Sequence, residues 1–131
     1  MLVRDAMSTL ILTLGPAHTI RQAAGLMSGR RVGAAVVLDP DHSGIGILTE
    51  RDILNSIGAG HDPDRETVSA HTTNNVVFCT PDATLEEAAE AMAVGGFRHL
   101  IVLEHGGAVG IVSVRDIIRC WVRSGRGAVA A

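Results

Sequence analysis

Lysine is absent: all eleven basic residues of the chain are arginine. A phosphate loop that depends on lysine, a Schiff-base lysine and a lysine nucleophile are therefore excluded. Tyrosine is absent too, and the aromatic residues are Phe78, Phe97 and Trp121. Stacking platforms for single-stranded nucleic acid thus have little to be built from, and the core has to be filled by Ala, Val, Ile, Leu and Met. Cysteine is scarce. Cys79 and Cys120 have no CxxC spacing and no nearby Cys or His partner, and both read as small buried hydrophobes. The histidines (His18, His42, His61, His71, His99, His105) show neither i, i+4 nor HxH spacing, so no metal site is expected. Basic blocks stop at the pair Arg30-Arg31 and the net charge is −3, which argues against a nucleic-acid partner. Apolar runs fall well short of the roughly 18 residues of a membrane span. The stretch Leu10-Ile11-Leu12 behind Arg4 weakly mimics a signal peptide, but Asp5 and Thr13 interrupt it. No membrane partner and a reducing, cytoplasmic location are the expectation.

What the chain does have is apolar content, 47% of its 131 residues. That is enough for one compact domain, or for two small units that fold together. It also has an internal repeat. Shifted by 65 positions, residues 16–38 fall on residues 81–103; with one residue dropped from the following loop, residues 46–54 fall on 110–118. Seven identities in the first block include Pro16/Pro81, Thr19/Thr84 and Met27/Met92. Five in the second include Gly46/Gly110, Arg51/Arg115 and Asp52/Asp116. The chain reads as two copies of one unit: repeat 1 over residues 1–58, a polar linker over 59–67, repeat 2 over 68–124 and a flexible tail over 125–131.

Each copy reads as strand, helix, strand, strand, helix. Short β-rich runs at 10–14 and 76–79 end near a proline. Thr19 and Thr84 then cap helices, each with Gln or Glu three residues on. Ile20, Ala23, Ala24, Met27 and Leu85, Ala88, Ala89, Met92 form one apolar helical face per copy. Gly29 and the pair Gly95-Gly96 are the expected helix ends. Residues 34–38 and 100–103 are continuous apolar runs suited to buried strands. Turns at 39–44 and 104–107 lead into return strands at 45–48 and 109–112. Second helices start near Thr49 and Ser113. The fold class is α/β (α+β), with two pseudo-symmetric β-α-β-β-α repeats packed as one domain.

The sequence Gly-x-x-Thr/Ser-x-x-Asp occurs twice, as Gly46, Thr49, Asp52 and as Gly110, Ser113, Asp116. Each time it joins a strand to a helix. Backbone N–H groups at a helix start lack intrahelical partners and lie at the positive end of the dipole, which suits an anion. A hydroxyl there can bond a phosphate, and an Asp three residues on can accept two bonds from a ribose diol. The same spacing is also a capping box, in which the Asp serves only the helix.

These residues resemble a known family. The duplicated unit is similar to the cystathionine-β-synthase-type (CBS) domain, and the pair resembles a stand-alone CBS pair, or Bateman module, from about Val3 to Val122. The resemblance rests on Val3-Arg4-Asp5-Ala6-Met7, the Thr-capped Ala-Ala-x-x-Met helices, Arg98-His99-Leu100-Ile101-Val102 and both Gly-x-x-Thr/Ser-x-x-Asp segments. It implies two clefts between the copies that bind adenosyl ligands such as AMP, ADP, ATP or S-adenosylmethionine. It places Asp52 and Asp116 at the ribose, Thr49 and Ser113 at the phosphates, and Arg98 and His99 among basic phosphate contacts. Thr80 falls near the base, and Arg51 and Arg115 stand beside the motif aspartates. The resemblance also implies a homodimer formed through helices flanking the clefts, with Ile117, Ile118, Trp121 and Val122 as its apolar surface.

The copies differ where a ligand would bind. Gly33 and Ala34 replace Arg98 and His99, Gly15 replaces Thr80, and Ala6-Met7 becomes His71-Thr72. One better and one poorer nucleotide site is the expectation. Function is expected to be regulatory and non-catalytic: the adenosyl ligand acts as effector rather than cofactor, and the state is read by an effector protein or a second copy. The rival expectation is a ligand-free dimerisation or protein-interaction module in which the motif residues only cap helices. An enzyme is the weakest reading, because no nucleophile–base pair is visible.

Overall fold

The computed structural model describes residues 1–41, 44–74 and 76–125. The tail beyond Gly125 and part of the turn expected at 39–44 lie outside the described residues. Two compact units divide the chain: Leu12–Val76, and Met1–Ile11 together with the chain from Val77 onward. Each unit holds one β-α-β-β-α set.

In the Leu12–Val76 unit, β1 (Thr13–Leu14) leads to α2 (Ile20–Arg30), β2 (Ala34–Leu38), β3 (Ile45–Thr49) and α3 (Glu50–Gly58). The label α1 belongs to Val3–Ala6 of the other unit, where β4 (Phe78–Cys79), α4 (Leu85–Gly95), β5 (His99–Glu104), β6 (Gly107–Ser113) and α5 (Val114–Arg123) follow. Each sheet has three strands, the first pair parallel and the second antiparallel. The parallel pair is possible because a helix intervenes and carries the chain back. The continuous apolar runs form the central strands: Ala35, Val36 and Val37 are buried in one sheet, Leu100, Ile101 and Val102 in the other. Against Ala35 and Val37 pack Ile20, Ala23 and Met27 of the anticipated helical face, and against Leu100 and Val102 pack Leu85, Ala88 and Met92.

Helix starts obey the capping signals. Thr19 accepts from Gln22 N at 3.1 Å while Gln22 Oε1 accepts from Thr19 N at 3.0 Å, and Thr84 accepts from Glu87 N at 3.1 Å. One helix end differs from expectation. Gly29 lies inside α2, and the chain turns instead at Arg31, in the left-handed region with φ 56°. The second copy has Gly96 there, with φ 72°. Left-handed backbone is costly for arginine and cheap for glycine.

The linear repeats and the compact units are different divisions of the chain. The segment that heads each repeat packs in the unit of the other. Val3, fully buried, donates to the carbonyl of Ala83 at 2.8 Å; its counterpart Val68, also fully buried and opening the 3-10 turn Val68–Ala70, donates to the carbonyl of His18 at 2.8 Å. Farther along, Ser8 bridges Ile111 of β6, and Thr73 bridges Ile47 of β3. Burying a valine side chain contributes about 1.5–3 kcal/mol, so these segments are integral to the units they join. The crossing also explains both motif glycines. A Cβ on Gly110 would stand 2.9 Å from the Ser8 carbonyl oxygen and 2.9 Å from Met7 Sδ. A Cβ on Gly46 would overlap Thr72 Cγ2 and lie 3.2 Å from the Thr73 carbonyl oxygen. These glycines admit a neighbouring backbone, a structural duty that the sequence motif did not separate from ligand binding.

Candidate functional site

Both motif aspartates sit at a strand–helix junction, where β3 runs into α3 and β6 into α5. Thr49 and Ser113 are the N-caps. The register sets Ala34 opposite Thr49 and His99 opposite Ser113. The loop before the central strand closes over the helix start: Glu50 N donates to the Gly33 carbonyl at 2.9 Å, and Val114 N donates to the Arg98 carbonyl at 3.0 Å.

The capping boxes form in full. Asp52 N donates to Thr49 Oγ1 at 3.3 Å, and Asp116 N donates to Ser113 Oγ at 3.0 Å. In return Asp52 Oδ2 accepts from Thr49 N and Asp116 Oδ2 accepts from Ser113 N, both at 2.8 Å. All of this falls on one oxygen of each carboxylate. Among the described residues, Oδ1 of Asp52 and of Asp116 has no partner, and neither have the N–H groups of Arg51 and Arg115. Capping and ligand binding are thus compatible. Each junction retains a free carboxylate oxygen for hydroxyls and one N–H, at the positive end of the helix dipole, for an anion.

The hydroxyls differ. Thr49 Oγ1 donates to Asp52 Oδ2 at 3.0 Å, so its proton is committed. Ser113 Oγ accepts from Asp116 N but donates to no described group, so its proton is available to a phosphate oxygen. The α5 junction also carries Arg98 and Arg115, both exposed and without an ion-pair partner among the described residues, and half-buried His99. The α3 junction has Arg51 but Gly33 and Ala34 in place of Arg98 and His99.

Thr80 does not join this group within its unit. The parallel register pairs Cys79 with Val102, which sets Thr80 level with Leu103, four residues or about 13 Å of strand from His99. The expected apolar dimer surface also changes. Ile117 is core, and Trp121 packs against the same core. The exposed stripe of α5 is Val114, Ile118 and Val122, with Leu54 and Ile57 exposed on α3. No helix among the described residues is long and apolar enough to cross a membrane.

One constellation escaped the histidine-spacing argument. His61, Glu66 and His71, in the Leu12–Val76 unit, bring one potential metal-ligand atom each within 4.8 Å of one another. They lie in a bent polar segment, so helical or HxH spacing does not apply. The sequence signal was the divergence of His71 from Ala6.

The family described as CBS domain matches twice, over residues 3–59 and 68–123. The CBS domain-containing protein YhcV of Bacillus subtilis is 36% identical over 118 residues, which cover 88% of this chain and 81% of that protein. The crystal structure of the CBS-domain containing protein ATU1752 from Agrobacterium tumefaciens is 33% identical, with a TM-score of 0.81 over 91% of this chain and 98% of that one. The CBS domain protein PAE2072 from Pyrobaculum aerophilum, solved in complex with AMP, is 27% identical, with a TM-score of 0.79 over 88% of this chain and 89% of that one.

Proposed function

This chain belongs to the CBS domain family, and from that premise we propose that it is a non-catalytic regulatory module that binds an adenine nucleotide or related adenosyl ligand. The observation that carries the reading is the half-used aspartate: one carboxylate oxygen caps the helix while Oδ1 of Asp52 and Asp116 stays open. A ribose diol fits that oxygen, a phosphate fits the adjacent N–H, and a relative of this fold is solved with AMP. The α5 junction is the stronger site in this reading. Ser113 has a free hydroxyl proton, Arg98 and Arg115 supply positively charged donors for phosphate, and His99 lies at the same junction.

Ligand would hold the α5 junction in one arrangement, and a partner that distinguishes bound from free protein would read it, which requires differential affinity for the two states. A second copy of the chain is one such reader, and the exposed stripe of Val114, Ile118 and Val122 is the face it would cover.

The test is a thermal-shift screen of AMP, ADP, ATP and S-adenosylmethionine with wild type and the Asp52→Asn, Asp116→Asn double variant. A ligand at 100 times its dissociation constant stabilises by about 2.7 kcal/mol, a shift of several degrees. The expected result is a shift with at least one ligand that the double variant loses. No shift in a cooperatively melting wild type would favour the rival reading, a ligand-free interaction module whose Asp and Thr/Ser only cap.

A further inference from the structure

We propose that His61, Glu66 and His71 form a binding site for one transition-metal dication of the zinc class. His71 Nε2 lies 2.9 Å from Glu66 Oε1, and His61 Nδ1 lies 3.8 Å from Glu66 Oε2. Two ligands each about 2.1 Å from a tetrahedral zinc stand about 3.4 Å apart; each imidazole faces a different oxygen of the one carboxylate, and the three ligand atoms lie within 4.8 Å of one another, so small side-chain adjustments would close them on one ion. Two imidazoles and one carboxylate suit zinc, cobalt or nickel; calcium and magnesium call for oxygen donors. The remaining coordination position is left to water.

The three groups are set by the backbone. Gly60, with φ 86°, turns the chain out of α3 and His61 N returns to the Ser56 carbonyl at 3.2 Å. Glu66 N bonds the Asp62 carbonyl at 2.8 Å, and the Glu66 carbonyl receives Ile20 N at 2.9 Å. His71 N bonds the carbonyl of fully buried Val68 at 3.0 Å. Side-chain exposure of 46% at His61 against 16% at His71 leaves an entry path beside a sheltered ligand. Ser56, only 2% exposed, contacts the same His71 Nε2 at 3.3 Å, a contact that a metal on that nitrogen would replace.

The other unit shows that the scaffold does not need this polarity. By the repeat offset, Ser56, Glu66 and His71 correspond to Cys120, Met1 and Ala6. There Cys120 Sγ meets Met1 Sδ at 3.4 Å, and Ala6 packs on the apolar core. An apolar corner in one copy is a nitrogen- and oxygen-rich corner in the other.

Metal-free full-length protein titrated with Co²⁺, then with Zn²⁺, tests the proposal. The expected result is one Co²⁺ per chain, with the intense visible absorption of low-coordinate cobalt bound to nitrogen, displaced by one Zn²⁺. Binding should weaken in acid, because protons compete with the metal for the ligands. His61→Gln and Glu66→Gln should each weaken binding at least tenfold. His71→Gln should do the same, and if its lost Ser56 contact unfolds the protein, the first two variants decide. Absence of stoichiometric binding, or wild-type affinity in both His61→Gln and Glu66→Gln, would overturn the site.

Discussion

Leu100 in the second copy and Ala35 in the first occupy the same place on a central strand, both buried to the last per cent. The two units reach the same sheet order and helix placement with different side chains at that point and at several others. What they share is therefore what the fold needs: the Thr and Ser caps, the glycines at 46 and 110, and the exchanged leading segments anchored by Val3 and Val68. What they do not share is free for function. Arg98 and His99 stand against Gly33 and Ala34, a free Ser113 hydroxyl against a committed Thr49, and Ser56, Glu66 and His71 against Cys120, Met1 and Ala6. Duplication lets one copy act as the control for the other.

The largest way to break the comparison is to exchange core volumes. Leu100→Ala makes the second copy resemble the first, but around a pocket shaped for leucine, and is expected to cost about 2–5 kcal/mol in urea unfolding. Next come the motif glycines. Gly110→Ala pushes against the Ser8 backbone oxygen and should cost about 1–3 kcal/mol. Gly46→Ala overlaps Thr72 Cγ2, and Thr72 is held by a 2.7 Å hydrogen bond from its hydroxyl to the Val68 carbonyl, so it should cost a similar amount; a much smaller cost at one glycine would show that the exchanged segments are not equally fixed. A smaller effect sharpens the contrast at the helix ends. Arg31→Gly copies Gly96 into the first repeat and should raise stability by about 0.5–1 kcal/mol by relieving a left-handed arginine.

Cys79 gives an effect confined to alkaline pH. Burial pushes its thiol up to about 11. Thiolate is then scarce at neutral pH, and alkylation of native protein should be slower than of unfolded protein. Because the unfolded thiol ionises first, near pH 8.5, the thiol's contribution to stability is intact below that pH and is lost as pH rises through about 11. A flat stability profile across that range would place Cys79 in a wetter setting.

Much of this was legible in the sequence. Apolar periodicity, Thr caps and the 65-residue offset locate α2 to α5 and both central strands, because those signals are local; the short helical turns at Val3–Ala6 and Val68–Ala70 carry no such signal. The junction residues were legible as well, since Thr49-x-x-Asp52 and Ser113-x-x-Asp116 are local too. Three things were not. The packing of Val3 beside Ala83 and of Val68 beside His18 depends on tertiary contacts that a linear repeat does not express. The left-handed Arg31 overrode the ordinary glycine rule, which pointed to Gly29. The approach of His61, Glu66 and His71 is made by turns at Gly60 and residues 62–66, outside any helical or strand period. Thr80, which the resemblance places near the base, lies by the strand register at the other end of its sheet from His99.

The central claim is that the α5 junction holds the ligand. Isothermal titration of AMP into wild type, Asp52→Asn and Asp116→Asn tests it directly. One dominant site per chain, retained in Asp52→Asn and weakened at least about tenfold in Asp116→Asn, is the predicted result, since a hydrogen bond to a charged group contributes about 1.5–3 kcal/mol. Two equal sites per chain, or binding lost through Asp52 and kept without Asp116, would contradict it.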